Sequence, residues 1–135
     1  DFFYPNYTND MWRIFGLIFF DDKDHFVDIE KKKFCKDNIE QFLREKAIAV
    51  SDTVAVANRL NGNASDLTLE VVEPLNLAGI LDQIPRCHTL VTTGQKATDT
   101  LLSITGSPAP EIGGFVDFLY HNRRLRLYRM PSTSR

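Results

Sequence analysis

The stretch Thr89-Leu90-Val91-Thr92-Thr93-Gly94-Gln95-Lys96-Ala97 decides the fold class. A five-residue run of β-branched and apolar residues is the length and composition of a buried strand. Gly94 then turns the chain straight into a helical pattern from about Gln95 to Ile104, because only glycine tolerates so sharp a junction without strain. Upstream, Pro74 opens a helix through Ile84 that Pro85 stops. Further upstream, Ala47-Ile48-Ala49-Val50-Ser51 reads as another buried parallel strand. Downstream, Gly106, Pro108, Pro110, Gly113 and Gly114 mark a loop. Phe115–Tyr120 and Leu125–Met130 then flank the hairpin-like turn His121-Asn122-Arg123. In the last run Leu125 and Leu127 are expected to face in, with Arg124, Arg126 and Arg129 facing out. Helices alternating with short apolar strands predict an α/β sandwich around a short, mostly parallel central sheet.

The first half of the chain continues the pattern. Asn9 or Asp10 caps a helix carrying Met11, Ile14, Phe15 and Ile18, and Asp21-Asp22-Lys23-Asp24 ends it. Residues 28–34 are charged and read as irregular or helical surface. Asp37 opens a second helix with Ile39, Phe42, Leu43 and Lys46. A long polar connection is expected from Asn58 to Asp66, turning at Asn61-Gly62-Asn63. No internal repeat or low-complexity tract is present.

With 135 residues, 43% of them hydrophobic and 25% charged, the chain has the size and composition of one domain with a buried core. Sixteen Lys and Arg against 18 Asp and Glu give a net charge of −2, so no bulk positive charge announces a polyanionic partner. The charge is uneven, however: residues 111–135 carry Arg123, Arg124, Arg126, Arg129 and Arg135 against only Glu111 and Asp117. An anion is therefore expected to meet the C-terminal segment. Cys35 and Cys87 show neither zinc-ligand spacing nor a disulfide framework, which favours a reduced, cytoplasmic protein. The longest apolar run, Ile14–Phe20, falls well short of the roughly 18 residues a membrane helix needs. No secretory signal is visible.

Ligands of open α/β sheets gather at the carboxyl ends of strands. Three such ends turn polar at once: Ser51-Asp52-Thr53, Thr92-Thr93-Gly94-Gln95-Lys96 and Met130-Pro131-Ser132-Thr133-Ser134-Arg135. The second is not a P-loop, since the first glycine is missing and Ala97 follows the lysine; a tight turn is the simpler reading, with Lys96 adding positive potential. In the third, hydroxyls and backbone N–H groups can grip a phosphate, and arginine can wedge into stacked bases. His25, His88 and His121 lack metal spacing, no serine sits in a nucleophile elbow, and Lys31-Lys32-Lys33 reads as solvated surface. At the other end, Phe2 to Trp12 holds five aromatics. Such a face can stack on a nucleobase while asparagine reads its polar edge, although most of these rings, Trp12 above all, are expected in the core.

Taken together, the ends carry a family resemblance. Tyr4 through Asn9 to Met11-Trp12 resembles the segment after the catalytic loop of the mismatch-specific uracil/thymine-DNA glycosylases, in the uracil-DNA glycosylase superfamily. Met130-Pro131-Ser132-Thr133-Ser134-Arg135 is similar to that family's Met/Asn-Pro-Ser loop, and Leu90–Ala97 looks like its apolar strand followed by Gly, Lys/Gln and Ala. The resemblance implies a three-layer α/β/α sandwich and a monofunctional DNA glycosylase that flips a base and hydrolyses its N-glycosidic bond without metal or cofactor. It implies a cytoplasmic, monomeric prokaryotic enzyme used at the nucleoid in base excision repair.

By the same resemblance Tyr4, or Phe3 with a one-residue slip, stacks on the flipped base, and Asn9 belongs to the base-binding set. Ser132 and Ser134 hold phosphate, while Met130, Pro131, Thr133 and Arg135 lie along the minor-groove loop, Arg135 filling the vacated space. Arg129 and Lys96 add phosphate attraction. Asp52 stands where relatives use an Asn to pair with uracil; an ionised aspartate only accepts, so it implies another role, a protonated carboxyl or a base with extra donors. The family's G-x-x-P loop, which positions the hydrolytic water, is expected before residue 1. Residues 1–135 would thus be a single domain lacking its first strand and catalytic loop, and a final helix. The alternatives are a non-catalytic DNA- or nucleotide-binding protein of the same fold, and an unrelated α/β protein holding a phosphorylated ligand at Thr93–Lys96.

Overall fold

The structure, a computed structural model, describes residues 3–59 and 69–134, the segments 54–59 and 69–74 as backbone only. It is a mixed α/β protein in which the chain divides into two compact units, residues 1–51 with 132–135, and residues 52–131. The turn expected at Asn61-Gly62-Asn63 lies outside the described residues.

In the first unit, helix α1 spans Met11–Phe20 and ends on Asp21 in the left-handed conformation, where the Asp21 and Asp22 N–H groups close on the Leu17 and Gly16 carbonyls. The solvated acidic turn expected there is observed. Two short strands, β1 (Val27–Asp28) and β2 (Lys33–Phe34), pair antiparallel where irregular or helical surface was expected. Helix α2 spans Lys36–Lys46. Trp12, Phe26, Phe34, Ile39 and Phe42 form the unit's core, so Trp12 is a packing residue. Ala47–Ser51 is not a strand: Ala47 caps α2 with φ 56°, and the Ile48 N–H returns to the Leu43 carbonyl, so its apolar residues serve the helix end. Ile48 and Val50 pack against this core.

In the second unit, β3 (Val54–Arg59) and β4 (Leu69–Pro74) pair antiparallel with an irregular register, replacing the expected start of the long connection. Helix α3 spans Leu77–Gln83, three residues later than Pro74 suggested, because the Asn76 side chain caps it by accepting from the Gly79 N–H. Then follow β5 (Thr89–Thr93), α4 (Gln95–Thr105), β6 (Phe115–Tyr120) and β7 (Arg123–Met130). The sheet runs β5-β7-β6, with β5 parallel and β6 antiparallel to β7. The expected mostly parallel sheet is therefore a mixed one. Leu125 and Leu127 are buried as expected and pack with Leu77, Leu81 and Leu101 of α3 and α4. Arg124 and Arg126 lie on the other face; Arg129 shares the face of Leu125 and Leu127 by alternation, and its guanidinium donates to the Pro110 carbonyl.

Candidate nucleic-acid interface

Two segments far apart in sequence meet within the first unit. The Asp10 N–H donates to the Thr133 carbonyl at 2.8 Å. The Asn9 side-chain amide reaches the Ser134 hydroxyl at 3.5 Å, and its carbonyl oxygen accepts from the Met11 N–H at 2.9 Å. Asn9 and Thr133 are buried, so this junction is packed as well as bonded. Ser132 Oγ accepts from the Ser134 N–H, folding Ser132–Ser134 into a tight hydroxyl-bearing turn. Ser132 and Ser134 remain exposed.

The aromatic segment is fixed from below. The Trp12 ring N–H donates to the Phe3 carbonyl at 3.0 Å, while Tyr4, with φ 54°, stands edge-on to Trp12 at 6.2 Å and packs against the core. Phe3 is 39% exposed. Of the two stacking candidates, Phe3 offers the open ring and Tyr4 the braced one. Asn9 spends its side chain on the junction itself.

In the second unit the strand-to-helix turn has the tight form expected. Gly94 has φ 91°, its N–H donates to the Met130 carbonyl, and Thr93 and Met130 are paired across the parallel strands. The carboxyl ends of β5 and β7 thus finish together beside the first turn of α4, where Lys96 is exposed. The buried hydroxyls of Thr92 and Thr98 hold one another at 2.8 Å under this turn. Pro131 leaves β7 exposed to solvent. Asp52 is exposed just ahead of β3, and no strand ends at it, so the strand-end position inferred for it is not present. Arg135 lies outside the described residues. His25, His88 and His121 are all exposed, His25 stacked on Phe20. Cys35 and Cys87 are free thiols. No helix among the described residues is long and apolar enough to cross a membrane.

One group escaped the sequence reading. Arg126 makes two bonds to the Asp117 carboxylate, at 2.8 and 3.1 Å, and lies 4.1 Å from the centre of the Phe115 ring. The bond from Arg126, reinforced by the charges of Arg126 and Arg124, holds the Asp117 carboxyl below the usual aspartate range. Asp117, and then the Tyr128 hydroxyl, in turn hold Arg126 more firmly in its cationic form. The available signal was the strand Phe115-Val116-Asp117-Phe118-Leu119-Tyr120, whose apolar residues fall on both faces.

Comparison with known proteins finds no matching family model, no matching characterised protein and no matching solved structure.

Proposed function

We propose that this protein is a monofunctional DNA glycosylase of the uracil-DNA glycosylase superfamily, acting on uracil or a related deaminated or mismatched base. The observation that carries the reading is the junction of the two chain segments that bear the resemblance, Asp10 to Thr133 and Asn9 to Ser134. The two segments, about 120 positions apart in the chain, lie side by side, as a single shared site requires.

On this reading a nucleotide turned out of the duplex rests its base on the exposed Phe3 ring, whose backbone carbonyl is held by the Trp12 ring N–H. The Ser132–Ser134 turn offers hydroxyls to the flanking phosphates. Arg135 follows this turn in sequence and fills the gap left in the stack. Lys96 and the arginine-rich C-terminal segment supply the attraction that a chain of net charge −2 otherwise lacks. Water activation is assigned to none of these residues, and Asp52, exposed ahead of β3 and at no strand end, is not used in this reading. The family's three-layer sandwich requires helices on both faces of its sheet; α3 and α4 cover one face of β5-β7-β6, so the functional reading rests on the junction and not on a second helical layer.

A non-catalytic DNA binder of the same fold would keep the phosphate contacts and lose the chemistry. Single-turnover excision of uracil from a labelled duplex by the full-length protein separates the two. Phe3→Ala should slow excision about tenfold, the size of one lost base–aromatic stack. An unchanged rate would remove Phe3 from the site, and an absence of abasic product from the unaltered protein would leave the binder.

A further inference from the structure

We propose that the uncovered face of the β5-β7-β6 sheet is a stacking platform for single-stranded nucleic acid, centred on Phe115, Arg126 and Tyr128. Helices α3 and α4 bury the opposite face through Leu125 and Leu127. On the uncovered face the strand register sets Val91, Tyr128 and Phe115 in one row, and Thr89, Arg126 and Asp117 in the next. Leu119 stands opposite Arg124 in the row beyond. Val91, Phe115 and Leu119 are 59%, 48% and 67% exposed, so this face presents apolar side chains to solvent.

The chemistry of the rows says which partner. Phe115 and Tyr128 lie 5.4 Å apart, and the Arg126 guanidinium covers the Phe115 ring. Asp117 grips two of the guanidinium nitrogens, which fixes the orientation of that flat cation. With its side chain 43% exposed, Arg126 extends the aromatic surface with a second planar group. Nucleobases stack on aromatic rings and on arginine planes, and every base offers such a face whatever the sequence. Charge points the same way. On this face the hairpin presents Arg124 and Arg126 against Asp117, while Arg123 and Arg129 are spent on carbonyls elsewhere. Arg124 is exposed, and its guanidinium has no hydrogen-bond or ion-pair partner among the described residues. Phosphates of a bound strand would complement Arg124, whereas an apolar helix laid on this face would bury Arg124 without a counter-charge of its own; Arg126 is already paired with Asp117. A paired duplex hides its base faces and cannot use the rings.

The proposal is independent of base excision, and an oligodeoxycytidylate, which contains none of the candidate bases, tests it. Fluorescence anisotropy of a short labelled oligodeoxycytidylate should show binding that weakens as salt rises. Phe115→Leu, which keeps an apolar side chain but removes the ring, should weaken binding about tenfold or more, and Phe115→Trp should retain it. Arg126→Gln, a change at a half-exposed position outside the core, provides a second variant should the first alter folding; thermal melting checks both. Failure of the unaltered protein to bind, or equal binding by Phe115→Leu and Arg126→Gln with unchanged melting, would overturn the proposal. Sedimentation showing a dimer that Phe115→Leu disperses would assign the face to a second copy and overturn it too.

Discussion

Arg123 shows how a charged residue of a basic segment is diverted into structure. Its guanidinium donates to the carbonyls of Leu81, Ile84 and Cys87, closing the C-terminal end of α3. Replacing it with methionine keeps the stem and removes the donors. Arg123→Met should therefore cost about 1–3 kcal/mol in a urea unfolding curve, for the loss of three bonds from a cation to partly buried carbonyls. Asp117 gives the pH counterpart. Because its carboxyl titrates below the usual aspartate range, the Arg126 grip is complete above that range and fails as pH falls through the depressed value. The charged groups acting on it are Arg126 and Arg124, and the Tyr128 hydroxyl acts on Arg126. Carboxyl carbon NMR should show Asp117 titrating below a free aspartate, and Arg126→Gln should return it upward; an Asp117 midpoint unmoved by Arg126→Gln would contradict the pairing. At this scale the sequence revealed residue type and alternation, which suffices to bury Leu125 and Leu127 and expose Arg124. It did not reveal hydrogen-bond destinations, so Arg123, Arg126 and Arg129 looked alike while one caps a helix, one pairs and one bonds a loop.

Among elements, the junctions with a single local cause were legible. Gly94 sits at φ 91° and ψ 162°, a region that a side chain makes costly, and β5 runs into α4 as its sequence indicates. Gly94→Ala should destabilise the protein by about 1–3 kcal/mol, read by thermal or urea unfolding. A loss no larger than that of an ordinary surface substitution would show that the turn relaxes. The apolar run Ala47–Ser51 was read wrongly because its residues, whose composition suits a strand, are drawn to the end of α2 by the left-handed Ala47 and the Ile48–Leu43 bond. The β3–β4 pair was missed although Val54-Ala55-Val56 and Leu69-Glu70-Val71-Val72 have strand composition, because the polar stretch Asn58–Asp66 between them reads as one long connection. Asn76 displaced the start of α3 from Pro74, since a side-chain cap satisfies an amide that proline at the first position cannot.

For the whole molecule, the two ends that carry the resemblance are joined by the Asp10–Thr133 and Asn9–Ser134 contacts, a meeting of distant segments that local sequence pattern does not encode. What the sequence could not convey is that one sheet face stays open, because coverage depends on which elements pack there and not on the strands' own pattern. A net charge of −2 concealed both surfaces, for charge acts on a polyanion through its local arrangement. The central claim is base excision. The measurement that tests it most directly is abasic-site formation by the full-length protein on end-labelled duplexes carrying uracil, thymine, hypoxanthine or xanthine opposite defined bases. The account predicts alkali-sensitive cleavage at one or more of these bases. Intact strands with every one of them would contradict it.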